Sequence, residues 1–117
     1  MHQPSQRPSI FEASLVPEAP CLFLELRGEL DLFSAKDMPR DAYASRPDLT
    51  TVLVDLSELS FCDVAGLSAL LNFRKIQEAQ GRTVSIVGAR PLIQRLMLLC
   101  GVRDRPAIAR PANPTLV

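Results

Sequence analysis

No tryptophan occurs in this chain, and it has a single histidine, a single tyrosine and five glycines. Each shortage removes a class of function. His2, two residues from the start, is the only imidazole, so neither a histidine-based catalytic set nor a histidine metal centre can be assembled, and no metal or cofactor is expected. The glycines are too scattered for a phosphate-cradling loop: there is no P-loop, no dinucleotide fingerprint and no Gly-x-Ser-x-Gly elbow. An excess of either charge is missing as well. Thirteen basic residues offset 13 acidic ones, which leaves no electrostatic footprint for DNA, RNA or anionic lipid. No apolar run approaches the ~18 residues of a membrane span, and MHQPSQRPS lacks the apolar stretch of a secretory signal. Cys21, Cys62 and Cys100 form no Cys-x-x-Cys pair and sit among apolar neighbours. They read as small buried hydrophobes in a reducing, cytoplasmic setting.

What is present is enough for one domain. The chain has 117 residues, 47% of them apolar and 22% charged, which suits a single soluble fold with a modest core. Residues 1–9 and 110–117 are polar or proline-broken and read as tails around a domain over 10–109. Within it, a weak strand over Ile10–Val16 and the turn Pro17–Pro20 lead into a clearer strand, Cys21–Gly28. A helix is expected between Ser34 and Ala44, although Pro39 removes a backbone bond there and pushes its start toward Met38. Thr51–Ser57 reads as a buried strand, Asp63–Gln80 as a helix closed by Gly81, and Arg82–Gly88 as a further strand. Pro91 opens a helix over Leu92–Cys100 that Gly101 ends, and Pro106–Ala109 suggests a short last strand. On a helical wheel Leu92, Ile93, Leu96, Leu99 and Cys100 share one face, while Leu98 points elsewhere. Alternating strands and helices predict an α/β fold, a mixed sheet of roughly four to five strands covered by about three helices.

Chemistry is thin. Acid–base work would fall to Glu29, Asp31, Asp55 and Asp63, whose spacing demands no common site and suits caps and loops; an enzyme is not expected. The informative stretch is FCDVAGLSALL, Phe61–Leu71. Asp63 precedes a helical pattern and is a natural N-cap, accepting from the N–H of Ala65 or Gly66 at the positive end of the helix dipole. Leu67, Leu70, Phe73 and Ile76 then face a core, while Val64 falls with Ser68, Asn72 and Lys75 on the polar side. A single exposed valine is commonplace, but at the first turn of a helix it also suits a partner surface.

GELDLFSA (Gly28–Ala35), VLVDLSELSFCDVAGLSALL (Val52–Leu71) and GRTVSIVGARPLIQRLMLLCGV (Gly81–Val102) together resemble a STAS domain of the bacterial anti-sigma factor antagonist family, over about Ile10–Ile108. The resemblance implies binding to an anti-sigma factor, usually a serine kinase of the histidine-kinase-like ATPase fold, and release of a sigma factor. In the family motif D-S-[ST]-G-L the serine accepts phosphate. Here the motif reads D-V-A-G-L: Asp63, Gly66 and Leu67 match, and the acceptor position is Val64, which has no hydroxyl. The antagonist would then be locked in its binding state, or the site lost; among Ser57, Ser60 and Ser68, Ser68 is the best placed substitute acceptor. The resemblance implies an interface of Glu29, Asp31 and Ser34 from the GELDLFSA loop with Asp63, Val64, Ala65, Gly66 and Ser68. The small STAS subunits of bacterial phospholipid-transport ABC complexes are also similar, with D-[ST]-A-G-L-like corners that Ala65 fits equally well, so a scaffold or subunit is the second reading. The chain departs from antagonists at its end, where the final helix looks short or absent. That would expose apolar surface near Leu98 or Leu116 and favour a weak homodimer.

Overall fold

Leucine at every second position organises the sheet. The computed structural model describes residues 10–40 and 43–102. In it β2 spans Cys21–Leu30, and Leu22, Leu24 and Leu26 on one face of its pleat are wholly buried. β3 (Thr51–Cys62) runs parallel beside it, Val52 opposite Leu22 and Val54 opposite Leu24, and β4 (Thr83–Val87) extends the same rows with Val84 and Ile86. β1 (Phe11–Glu18) pairs antiparallel on the other side of β2, giving the order β1-β2-β3-β4. Pro17 is tolerated because β1 is an edge strand. Two α-helices close the leucine face: α1 (Val64–Ala79) contributes Leu67, Leu70 and Phe73, and α2 (Pro91–Leu99) contributes Ile93 and Met97. The result is a mixed four-stranded α/β domain.

β3 runs five residues past the expected end at Ser57 and carries an extra residue at two points, between Asp55 and Glu58 and between Leu59 and Phe61. Such bulges free backbone groups. At the first, the Ser57 N–H donates to the buried Asp55 carboxylate (2.9 Å), so this acid braces the bulged strand. The extension carries the chain to Asp63, just past the C-terminal end of β3.

Two expectations need correction. The helix between Ser34 and Ala44 is instead a 3-10 turn, Ala35–Asp37, followed by an extended Met38. Pro39 accounts for this, since a residue before proline is driven out of the helical region and proline itself supplies no N–H. The buried face of α2 is Ile93 and Met97 with half-buried Leu96, whereas Leu92, Leu99 and Cys100 are exposed. Leucines ring most of that helix, so periodicity alone could not say which arc docks. Cys100 is accordingly no buried hydrophobe, while Cys21 and Cys62 are half-buried. The suggested strand Pro106–Ala109, the final helix and Leu116 lie outside the described residues.

At the C-terminal end of α1, Gly81 takes the left-handed conformation expected of it (φ 86°) and turns the chain into Arg82. Arg82 is only 4% exposed. Its guanidinium donates to the carbonyls of Leu49 (2.8 Å), Arg46 (3.1 Å) and Tyr43 and to Gln77 Oε1 (2.7 Å). The fully buried Gln77 in turn donates to the Arg40 carbonyl (3.2 Å). One planar fork thereby gathers the carbonyls of a loop that has no regular hydrogen-bond ladder.

Candidate protein-docking site

Asp63 joins two segments that are 31 residues apart in sequence. Its Oδ1 accepts from the Gly66 N–H (2.7 Å), the expected N-cap bond of α1. Its Oδ2 accepts from the Leu32 N–H (3.2 Å) in the loop after β2. The Asp63 N–H donates to the Leu30 carbonyl (3.3 Å), so backbone and side chain together bracket the GELDLFSA loop against the helix start. Gly66 makes this approach possible. A Cβ there would lie 2.1 Å from the Leu30 carbonyl oxygen, inside any permissible contact.

The loop is braced from within. Asp31 Oδ1 accepts from the N–H of Phe33 (2.9 Å) and of Ser34 (3.0 Å), and the buried Ser34 hydroxyl donates to the Glu29 carbonyl (2.8 Å) while accepting from the Asp31 N–H (2.9 Å). These bonds give Asp31 and Ser34 a structural task in the loop. Glu29 is exposed and lies opposite Phe61 in the sheet register. Bracing turns the next side chains outward: Leu32 is 66% exposed, Phe33 75%, and Val64, across the Asp63 bracket, 59%. Phe61 is exposed as well. Ser68 is exposed one turn beyond Val64, and Ala65 is half-buried.

Leu32 and Phe33 are the residues that sequence reasoning passed over. Two adjacent large apolar residues between Asp31 and Ser34 fit neither a strand nor a helix period, and that misfit was the available signal. An acidic bracket surrounded by exposed apolar side chains carries no charge outward at Val64 and suits protein docking. Beneath it, Cys62 is sheltered: burial first, then the negative charge of Asp63 and the neighbouring Cys100 push its thiol from an ordinary 9.0 up to about 12. A cleft of about 240 Å³ lies between the 3-10 turn and α1, floored by Met38 and Phe73. It is smaller than the roughly 300–1,000 Å³ of ordinary ligand pockets.

A parallel β-α-β core with an antiparallel first strand, and an acid-capped helix opening beside the loop after β2, define the STAS class of domain. The family model described as "Mlab, STAS domain" matches residues 17–110, and the chain belongs to the STAS domain family. No curated protein matches it in sequence. Among solved structures, it is similar to the anti-sigma factor antagonist SpoIIAA in its unphosphorylated form (19% identity, TM-score 0.61, 85% of this chain and 90% of that one). An anti-sigma factor antagonist from Mycobacterium paratuberculosis is equally similar (18%, TM-score 0.61, 85% and 88%). The murine Solute Carrier 26 family member A9 anion transporter shares the fold over 72% of this chain, which spans 14% of the transporter (17%, TM-score 0.62). At these identities the likeness is one of fold. No helix among the described residues is long and apolar enough to cross a membrane.

Proposed function

We propose that this chain is a non-catalytic cytoplasmic binding protein that docks on an anti-sigma factor of the histidine-kinase-like ATPase fold and so frees a sigma factor. Contact is made by Val64 and the first turn of α1, with Leu32 and Phe33 alongside and Glu29 and Ser68 at the rim. Val64 itself is the main support: an exposed valine stands at the start of an acid-capped helix, within an apolar patch. A phosphate here would find backbone N–H groups, but it would also set nearly two negative charges among Leu32, Phe33 and Val64 and oppose docking. Valine keeps the surface uncharged. The antagonist is then permanently competent, and its control lies in its abundance or in the partner.

A second reading rests on the resemblance of the D-V-A-G-L corner, with Ala65, to the small STAS subunits of phospholipid-transport ABC complexes: a STAS subunit or scaffold of such a transport complex. It would use the same corner. Both are tested by purifying the tagged chain from its own cytoplasm, with mass spectrometry of partners and chain and with Val64→Glu in parallel. Recovery of a kinase-like anti-sigma factor, an unphosphorylated chain, and loss of that partner with Val64→Glu are expected. Transporter subunits in its place would establish the second reading, and phosphate on Ser68 would overturn the locked state.

A further inference from the structure

α2 carries more leucine than its core contact uses. Ile93 and Met97 are buried, yet Leu92, Leu98 and Leu99 are 79%, 73% and 79% exposed. At about 100° per residue, Leu92, Arg95 and Leu99 fall along one line of the helix, with Leu98 beside Arg95. Leu92 and Leu99 are a heptad apart, the period at which two packed helices keep their seams in register. Charge on this element has one sign. No acidic residue occurs between Glu78 and Asp104, and the charged side chains of α2 and its cap are Arg90 and Arg95, both exposed.

Charge separates the candidate occupants. A second copy would bring the same arginine-bearing face to a two-fold interface, where like charges meet. The segments of the chain outside the described domain are basic too: residues 1–9 carry Arg7 and no acid, and residues 103–117 carry Arg103, Arg105 and Arg110 against Asp104. Anionic lipid is recognised by clusters of roughly four to eight basic residues, and α2 offers Arg90 and Arg95. An acidic helix complements both the leucines and Arg95, whereas Arg90 at the cap donates to the Ser57 carbonyl (3.2 Å). We propose that the outer face of α2, Leu92, Arg95 and Leu99 with Leu98 at its flank, is a second docking surface that receives an acidic amphipathic helix of a partner protein. It uses none of the residues of the Asp63 corner, so it stands or falls separately from the function proposed for that corner.

The test uses two synthetic helical peptides with the same leucine heptads, one carrying glutamate and the other lysine beside the seam. Each is titrated into the full chain and followed by backbone amide shifts and fluorescence anisotropy. The glutamate peptide is expected to bind, with shifts centred on α2, and to weaken about tenfold with Arg95→Glu, the variant that the lysine peptide should prefer. Leu92→Ser combined with Leu99→Ser should abolish binding; both side chains are exposed, and an unchanged circular dichroism spectrum would show that the fold is kept. Absence of glutamate-peptide binding, or equal binding of the two peptides to the unsubstituted chain, overturns the proposal. A dimer in analytical ultracentrifugation that Leu99→Ser dissolves would give the face to a second copy. Flotation with phosphatidylglycerol vesicles that the double variant loses would give it to lipid.

Discussion

Each end of α1 is tied to a neighbouring loop through one charged side chain, and the surroundings of the two ties differ. At the C-terminal end, Arg82 is enclosed and every bond it makes runs to a carbonyl oxygen of the 43–49 loop or to Gln77. At the N-terminal end, half-buried Asp63 holds the loop after β2 from the end of β3, and the side chains it positions point to solvent. Burying a guanidinium is unfavourable unless its donors are satisfied, so the lower tie fixes a single closed arrangement. The upper tie orders backbone while leaving Leu32, Phe33 and Val64 uncovered. One end closes on the core, and the other leaves apolar side chains at the surface.

Two substitutions would break the comparison at its strongest points. Gly66→Ala places a methyl group 2.1 Å from the Leu30 oxygen, a backbone atom that cannot swing aside. Separating α1 from β2 should cost about 4 kcal/mol, seen as a lower urea midpoint. Arg82→Met keeps bulk but leaves the Leu49, Arg46 and Tyr43 carbonyls and Gln77 Oε1 without this donor. A loss of about 3 kcal/mol is expected, with the amides of residues 43–49 exchanging faster. If Arg82→Met were silent, the lower tie would be no more than a surface contact.

How much of this was legible in the sequence follows from the kind of interaction involved. The Asp63 cap, the Leu67, Leu70 and Phe73 face and the outward Val64 were readable because capping and helical period are local. The Thr51–Ser57 and Arg82–Gly88 strands were readable for the same reason, though β3 runs on to Cys62 through bulges that no alternation announces. Between Ser34 and Ala44 the helical pattern yields to Pro39, whose effect on Met38 is also local but stronger than a displaced helix start allows. What could not be read is pairing across distance. Nothing near Arg82 in sequence names Leu49 as its acceptor, and nothing near Asp63 names Leu32. The resemblance set the GELDLFSA loop beside the corner, but the exposed Leu32 and Phe33 emerge only once Asp31 and Ser34 are seen turned inward.

A smaller effect on stability should accompany a larger one on binding at the upper end. Asp63→Ala removes the acceptor for the Gly66 and Leu32 N–H groups and should cost about 1 kcal/mol, the usual worth of an N-cap. The loop after β2 would lose its bracket, and partner affinity should fall about tenfold as Leu32 and Phe33 lose their preorganised placement. Asp63→Asn, which keeps a side-chain acceptor, should recover most of the stability. Were both variants to bind normally while losing stability, Asp63 would be a cap alone and the presentation role of this end would be lost.

The least expected change in stability comes with the most direct view of what lies under the exposed corner. Cys62 adjoins Asp63, and burial together with that carboxylate raises its thiol to about 12. Because the nucleophile is the thiolate, Cys62 should resist alkylation at pH 8 while exposed Cys100 reacts; mass spectrometry of the labelled chain distinguishes the two sites. The sign of the linkage follows. A thiol whose folded value lies above the ordinary 9.0 favours the folded state while it stays protonated, and that contribution is lost as pH rises from about 9 toward about 12. Stability should therefore decline across that alkaline window and Cys62→Ala should flatten the decline. Asp63→Asn, by removing a negative charge, should bring Cys62 alkylation to a lower pH. Fast labelling of Cys62 at pH 8 in the unsubstituted chain would mean that the base of the corner is as open as Val64 above it, and the contrast between a sheltered support and an exposed apolar face would fail at this end of α1.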